Sequence, residues 1–259
     1  MRSILCPADS SNSFTCRLET ALALGRALRG HVTLQIATPI AQIAAWEPFG
    51  GAVISATAIT QARDEDEKLA KALAVQLGSQ DVPFDIEMAD DARTFALSSG
   101  SRLADVIVMS MADPALEEVA LAVRCPILAV PGNQPLANFG GPILVAWDGG
   151  AEAANALRAA LPLLRMASQV HVVTVFEKES DFPATDALSY LSRHDVHAEL
   201  HEVAASGSVS DAISQTAERL GVGLVVMGLF GRSRLRELLL GGVSRDMLDG
   251  SKIPLLIAH

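Results

Sequence analysis

Three glycines near the end of the chain are suited to bind a phosphate through the backbone. The apolar run Val225-Val226-Met227 stops at Gly228, Gly231 follows after two residues, and Gly241 follows after nine more, with Ser244 just beyond. Glycine lets backbone N–H groups approach an anion closely, and successive N–H groups in a turn or at a helix N-terminus bind phosphate. The segment therefore predicts a nucleotide-binding site.

Positive charge is concentrated in the same segment. Arg232, Arg234, Arg236 and Arg245 stand there against the single acid Glu237, in a chain whose formal net charge is -10. Two interpretations stay open. The arginines attract a polyphosphate, or they face water at the start of a helix.

The bulk composition narrows the class of protein. With 259 residues, half of them hydrophobic, the chain is long enough for two domains with substantial cores. The net charge of -10 argues against binding to nucleic acid or to anionic membrane surfaces. Three cysteines without CxxC spacing favour a reducing compartment. With neither a signal peptide nor a membrane-spanning apolar run recognisable, we expect a cytoplasmic protein.

The pattern of strand and helix that would position the glycines occurs twice, once in each half of the chain. The segment from Ser3 to Asp9 is similar to the segment from Pro142 to Asp148: each is a short apolar run that ends in an aspartate before an Ala/Leu-rich helical pattern. The Pro-, Gly- and Asn-rich stretch 131–142 divides the two copies. We therefore expect two domains, 1–133 and 141–259.

Each half alternates short apolar runs with helical patterns, which predicts an α/β fold. The predicted strands are 3–7, 32–37, 82–88, 105–109, 126–130, 143–147, 170–176, 197–203, 223–227 and 254–258. The predicted helices of the second half are 151–165, 183–193, 209–220 and 233–249. The alternation predicts two tandem doubly wound domains, each a five-stranded parallel sheet of order 3-2-1-4-5 with helices on both faces. Because strands 1 and 4 are then neighbours, Asp148 and Gly228 would meet at one crevice.

Residues 141–259 resemble an ATP-binding domain of the universal stress protein family. The family's loop is Gly, two residues, Gly, nine residues, Gly and then Ser or Thr, and here only that last position departs, being Gly242. The two copies resemble the two-domain members of the family. The resemblance implies binding of ATP or ADP, with magnesium at the phosphates as an option.

The resemblance also implies which residues form the nucleotide site. Asp148 and the backbone of Trp147 and Val175 would hold the adenine and ribose, and the glycines and Ser244 would surround the phosphates. The full set is Trp147, Asp148, Val175, Met227, Gly228, Gly231, Gly241, Gly242, Val243 and Ser244. We expect no catalytic residue and no bound metal among the side chains.

The first half lacks the glycines. After Met109 come Ser110 to Ala115, which include Asp113 and Pro114, and a carboxylate there would repel phosphate. Asp9 is then a structural or capping acid, followed by serines that offer N-cap oxygens. The sequence predicts one nucleotide site per chain, in the second half.

Three functions remain open on these residues. The first is a regulatory nucleotide-binding module of the stress response. The second is a slow ATPase, or an enzyme that phosphorylates itself on Ser233 or Ser244, although the sequence lacks a P-loop Lys-Ser/Thr pair. The third is an interaction scaffold that binds no nucleotide.

Two further expectations concern metals and assembly. His197 and His201 are four residues apart on a predicted strand, about 13 Å, which is too far to share a metal. The strands 126–130 and 254–258 are expected to pair within the chain as a pseudo-dimer, and association of two chains into a homodimer is a further alternative.

Overall fold

The computed structural model describes residues 1–45, 52–176, 183–204, 207–229 and 242–259. The first half runs through β1 (Ser3–Ala8), α1 (Phe14–Leu28), β2 (His31–Ala37), α2 (Ile40–Ala45), α3 (Ala52–Leu77), β3 (Phe84–Ala89), α4 (Arg93–Gly100), β4 (Val106–Ser110), α5 (Leu116–Ala122) and β5 (Ile127–Val130). The second half runs through β6 (Ile143–Ala146), α6 (Ala151–Leu164), β7 (Val170–Phe176), α7 (Ala184–Arg193), β8 (Ala198–Ala204), α8 (Val209–Leu220), β9 (Leu224–Gly228), α9 (Gly242–Gly250) and β10 (Leu255–Ala258).

The described strands form one ten-stranded sheet of order β3-β2-β1-β4-β5-β10-β9-β6-β7-β8. Within each half the strands are parallel and have the predicted order 3-2-1-4-5. The two halves join through β5 and β10, which pair antiparallel with Leu128 opposite Leu256. The predicted fold class and the predicted pairing of these two strands are both confirmed.

Burial explains the order of the strands. The central strands β4 and β9 are apolar on both faces and almost fully buried, as parallel strands covered by helices must be. The outer strand β8 alternates partly buried and exposed residues, which confirms its predicted edge position. Two buried apolar layers, one on each face of the sheet, each contain residues of both halves.

The bounds of several strands differ from the prediction by one or two residues. The strands predicted from Pro126 and from Pro254 begin at Ile127 and Leu255, because proline has no N–H to donate to a neighbouring strand. The helix predicted over 233–249 is described from Gly242 onward, and residues 230–241 lie outside the described residues. Within the described ranges, every helix is too short or too polar to traverse a lipid bilayer.

Candidate functional site

The site lies where β6 and β9 end side by side. Val145 of β6 pairs with Val226 of β9, and Ala146 pairs with Val173 of β7 on the other side. Strand order reverses between β6 and β9, and ligands of open α/β sheets bind at the carboxyl ends of strands at such a point. Asp148 and Gly228, 80 residues apart in the sequence, therefore stand at the same edge, as predicted.

Asp148 lies in the turn that connects β6 to α6. Its Oδ1 accepts the backbone N–H of Gly150 at 2.8 Å, so the carboxylate closes its own turn while remaining at the surface. Gly149, between them, has φ of 78°, a conformation that favours glycine. The preceding Trp147 is buried, and its N–H donates to the carbonyl of Val173 at 2.8 Å.

Gly228 ends β9 directly against the first turn of α6. A Cβ at this position would lie 2.5 Å from the backbone nitrogen of Ala153 and 2.6 Å from the carbonyl carbon of Glu152. The structure thus gives Gly228 a packing role besides the predicted one at the phosphates. Its missing side chain brings the N-terminus of α6 to the edge where β9 ends, and such a terminus favours anions.

Glu152 is a site residue that the sequence prediction omitted. It is buried in the first turn of α6, two residues after the N-cap Gly150, and adjoins Gly228. An acid in the first turn is stabilised by the helix dipole. The sequence does contain a signal for Glu152. It stands at the start of a predicted helix, four residues after the strand-end Asp148, and an acid in that position falls at the same edge of the sheet.

The hydroxyl of Ser244 points at the same edge. Ser244 is buried in α9 and its Oγ donates to the carbonyl oxygen of Gly228 at 3.5 Å. This contact joins the two ends of the glycine-spaced segment. Gly242 is exposed with open space around it, and Val243 is half-buried against the core.

The remaining predicted residues have different surroundings. Val175, next to the last residue of β7, is half-buried and packs on the core layer. Met227 is buried within that layer, so its side chain serves packing. Gly231, Gly241, Ser233 and the arginines at 232, 234 and 236 lie outside the described residues.

Arg245 is the described member of the arginine group. Its Nε lies 3.8 Å from Oε1 of Glu117, which belongs to α5 of the first half. Both side chains are about half exposed, so the ion pair contributes little stability. The charge of Arg245 therefore lies between the two halves. This contact does not decide whether the arginine group attracts a polyphosphate or faces water.

The corresponding edge of the first half is bridged by ion pairs. Asp9 follows β1 as Asp148 follows β6, and its Oδ1 accepts the N–H of Ser11 at 2.9 Å. Its Oδ2 accepts from Arg17 at 2.8 Å and from Arg93 at 2.6 Å, and Arg93 also donates to Asp113, which follows β4, at 2.6 Å. The side chain of Arg93 thus lies across the edge of the first half that corresponds to the edge at Gly228 in the second half.

The serines after Asp9 do not cap α1 as expected. Ser13 occupies the N-cap position, but its hydroxyl makes no capping bond and accepts from Nη1 of Arg17 at 2.8 Å. The buried guanidinium of Arg17 takes the hydroxyl because it needs acceptors inside the protein.

A small cavity adjoins this network. Its volume is about 120 Å³, and its lining includes Asp9, Gln35, Asp66 and Arg93. Pockets for drug-sized ligands usually measure about 300–1,000 Å³. This cavity is therefore too small for a nucleotide.

Comparison with known proteins agrees with this architecture. The family model described as universal stress protein family matches residues 141–259. A universal stress protein from Archaeoglobus fulgidus has a similar fold, with a TM-score of 0.77, 16% identity, and coverage of 98% of this chain and 97% of that chain. A functionally unknown protein from Pseudomonas aeruginosa is similar with a TM-score of 0.61, 17% identity, and coverage of 100% and 92%.

A universal stress protein solved in complex with cAMP matches 46% of this chain and 97% of its own, at 21% identity and a TM-score of 0.37. No curated protein has a significant match to the chain. The family match covers the half that carries the glycine-spaced segment, and the similarity of fold to the Archaeoglobus protein covers both halves. Residues 141–259 therefore match the universal stress protein family, and the chain as a whole has the fold of a solved universal stress protein.

Proposed function

We propose that the chain is a regulatory protein of the stress response that binds one adenine nucleotide, ATP or ADP, in its second half. The nucleotide lies at the edge where β6 and β9 end. Asp148 and the backbone of Trp147 and Val175 hold the nucleoside, and the glycine-spaced segment from Gly228 to Ser244 surrounds the phosphates, with magnesium where it is bound.

The observation that carries this proposal is the convergence of three features at one edge. The turn containing Asp148, the strand end at Gly228 and the hydroxyl of Ser244 come from distant parts of the sequence and meet beside the N-terminus of α6. A carboxylate suits ribose hydroxyls because it only accepts hydrogen bonds, and a helix N-terminus suits phosphate. Magnesium bound to the phosphates would reduce their repulsion by the carboxylate of Glu152, which is buried beside Gly228.

The first half serves as a structural partner that binds no nucleotide. Asp9 and Asp113 are already bound by Arg93, and the volume of the adjoining cavity is only about 120 Å³. Entry of a nucleotide would require breaking these ion pairs and opening the edge. Residues 1–133 therefore act as a degenerate domain beside the nucleotide-binding domain 141–259.

Calorimetric titration of the full chain with ATP and with ADP, each with magnesium, tests the proposal. We expect one nucleotide per chain. Asp148→Asn should weaken binding at least tenfold, about 1.4 kcal/mol, because the amide replaces an acceptor oxygen with a donor and removes the charge. Asparagine still accepts the N–H of Gly150, so the turn should persist.

The matched control is Asp186→Asn, at an exposed aspartate in the first turn of α7. It should bind as the wild type does, and mass spectrometry of the natively purified protein should find a co-purified adenine nucleotide. Two equivalent sites per chain, or equal affinity in the Asp148 and Asp186 variants, would contradict the proposed site.

A further inference from the structure

Two histidines and a glutamate meet on the outer strands of the second half. His171 lies on β7, and Glu199 and His201 lie on β8, where His171 pairs with Glu199 and Val173 pairs with His201. Because paired residues of parallel strands share a face of the sheet, all three side chains project to the side covered by α8. The sequence prediction considered His197 as the partner of His201 and missed His171, which comes from the neighbouring strand.

The three nearest polar atoms have the separations of metal ligands. Nδ1 of His171 lies 3.0 Å from Nε2 of His201, and Oε2 of Glu199 lies 3.7 and 3.9 Å from these nitrogens. A circle through three atoms at these separations has a radius of about 2.1 Å, and zinc binds histidine nitrogen and carboxylate oxygen at roughly 2.0–2.2 Å. One ion can therefore contact all three atoms with little movement of the side chains.

His171 is buried, and the polar contacts of its ring lie on the side of Nδ1. Its residue is 4% exposed, and its Nε2 is buried without a hydrogen-bond partner among the described residues. A polar ring in the interior is costly unless its atoms are bound. The polar contacts of this ring are thus made through Nδ1, which faces Glu199 and His201.

We propose that His171, Glu199 and His201 bind one divalent transition-metal ion of the zinc class. Two imidazoles and one carboxylate suit zinc, and a water molecule on the solvent side of Glu199 would complete a tetrahedral shell. The ion ties the edge strand β8 to β7. This site is independent of the proposed nucleotide site.

The surroundings of His171 shift its pKa downward. Burial of the ring, followed by the effect of His201, lowers the pKa of His171; Glu199 opposes this shift and Arg219 of α8 adds to it. A lowered pKa favours the neutral imidazole, which is the form that binds metal ions. Arg219 would repel an incoming cation, and the carboxylate of Glu199 reduces this repulsion.

The cluster is separate from the nucleotide edge. His171 stands near the amino end of β7, whereas Val175 stands near its carboxyl end, four residues or about 13 Å away. A metal at the nucleotide phosphates and a metal at the histidines can accordingly be measured apart, by titrating the chain without nucleotide.

Zinc titration of the chelator-treated full chain, in competition with a chelating dye and without nucleotide, tests the proposal. We expect one zinc ion per chain at pH 7.5. Glu199→Gln should weaken binding at least tenfold, and His201→Gln should weaken it further.

The matched controls are His197→Gln and Glu202→Gln, which alter exposed residues on β8 or just before it. Both should bind zinc as the wild type does. Cobalt substitution should give the spectrum of nitrogen and oxygen ligands, without a thiolate band from a cysteine. Absence of zinc binding in the wild type, equal affinity in His201→Gln, or a thiolate band would overturn the proposal and leave a simple hydrogen bond between the histidines.

Discussion

At the residue scale, Asp9 and Asp148 occupy equivalent turns but have different neighbours. Each carboxylate accepts the N–H of the second residue after it, Ser11 or Gly150. Asp9 is additionally bound by Arg17 and Arg93, whereas the side chain of Asp148 is exposed at its edge. The same aspartate thus stabilises the protein in one half and, in our proposal, holds a ligand in the other.

The ion pairs of Asp9 predict a pH dependence of stability. Burial raises the pKa of Asp9, but hydrogen bonds from Ser11 and Arg93 and the charge of Arg17 outweigh it, and the pKa falls below its usual value. A lowered pKa in the folded state gives stability that is complete above about pH 4 and is lost as the pH falls further, because the unfolded chain takes up the proton first. In urea unfolding, the stability gap between wild type and Asp9→Asn should narrow by about 1.4 kcal/mol per pH unit below pH 4. Asp249→Asn, at an exposed residue of α9, should run parallel to wild type; a constant gap for Asp9→Asn would refute the assignment.

At the element scale, the contact between β9 and α6 is set by the missing side chain of Gly228. Gly228→Ala would place a methyl carbon against the backbone at 2.5 Å, so the strand or the helix must shift. We expect a loss of about 1–3 kcal/mol in the free energy of unfolding by urea. Gly250→Ala, where nothing lies within 4 Å, should stay within about 1 kcal/mol of wild type. Equal stability of the two variants would show that β9 and α6 are not packed as described.

The elements were predictable from the sequence, but several contacts between them were not. Apolar runs and helical periodicity sufficed for the order of the strands and for placing Asp148 beside Gly228. The bridge from Arg93 to Asp9 joins residues 84 apart, and no local pattern distinguishes it from a surface arginine. The contact of His171 with His201 depends on the register of β7 against β8, which periodicity does not specify.

At the scale of the whole molecule, the two halves are related by an approximate twofold axis through the pairing of β5 with β10. Leu256 lies opposite Leu128, and the residues on either side pair symmetrically, Leu255 with Ala129 and Ile257 with Ile127. The first half therefore covers the strand edge that the second half would otherwise expose. An exposed apolar edge strand is prone to pair with another chain.

This arrangement predicts the behaviour of the second half alone. A fragment of residues 134–259 lacks β5, so β10 becomes an edge of four buried apolar residues. Because the β5–β10 pairing is antiparallel and centred on Leu256, two copies of β10 can pair with each other in the same geometry, Leu256 opposite Leu256. We expect sedimentation velocity to show the fragment as a dimer that dissociates on dilution. Adding the separately produced fragment 1–133 should convert it to a one-to-one complex, since β5 offers the native partner strand. A fragment that stays monomeric at all concentrations, or a dimer that the first half does not displace, would mean that β10 does not hold the two halves together.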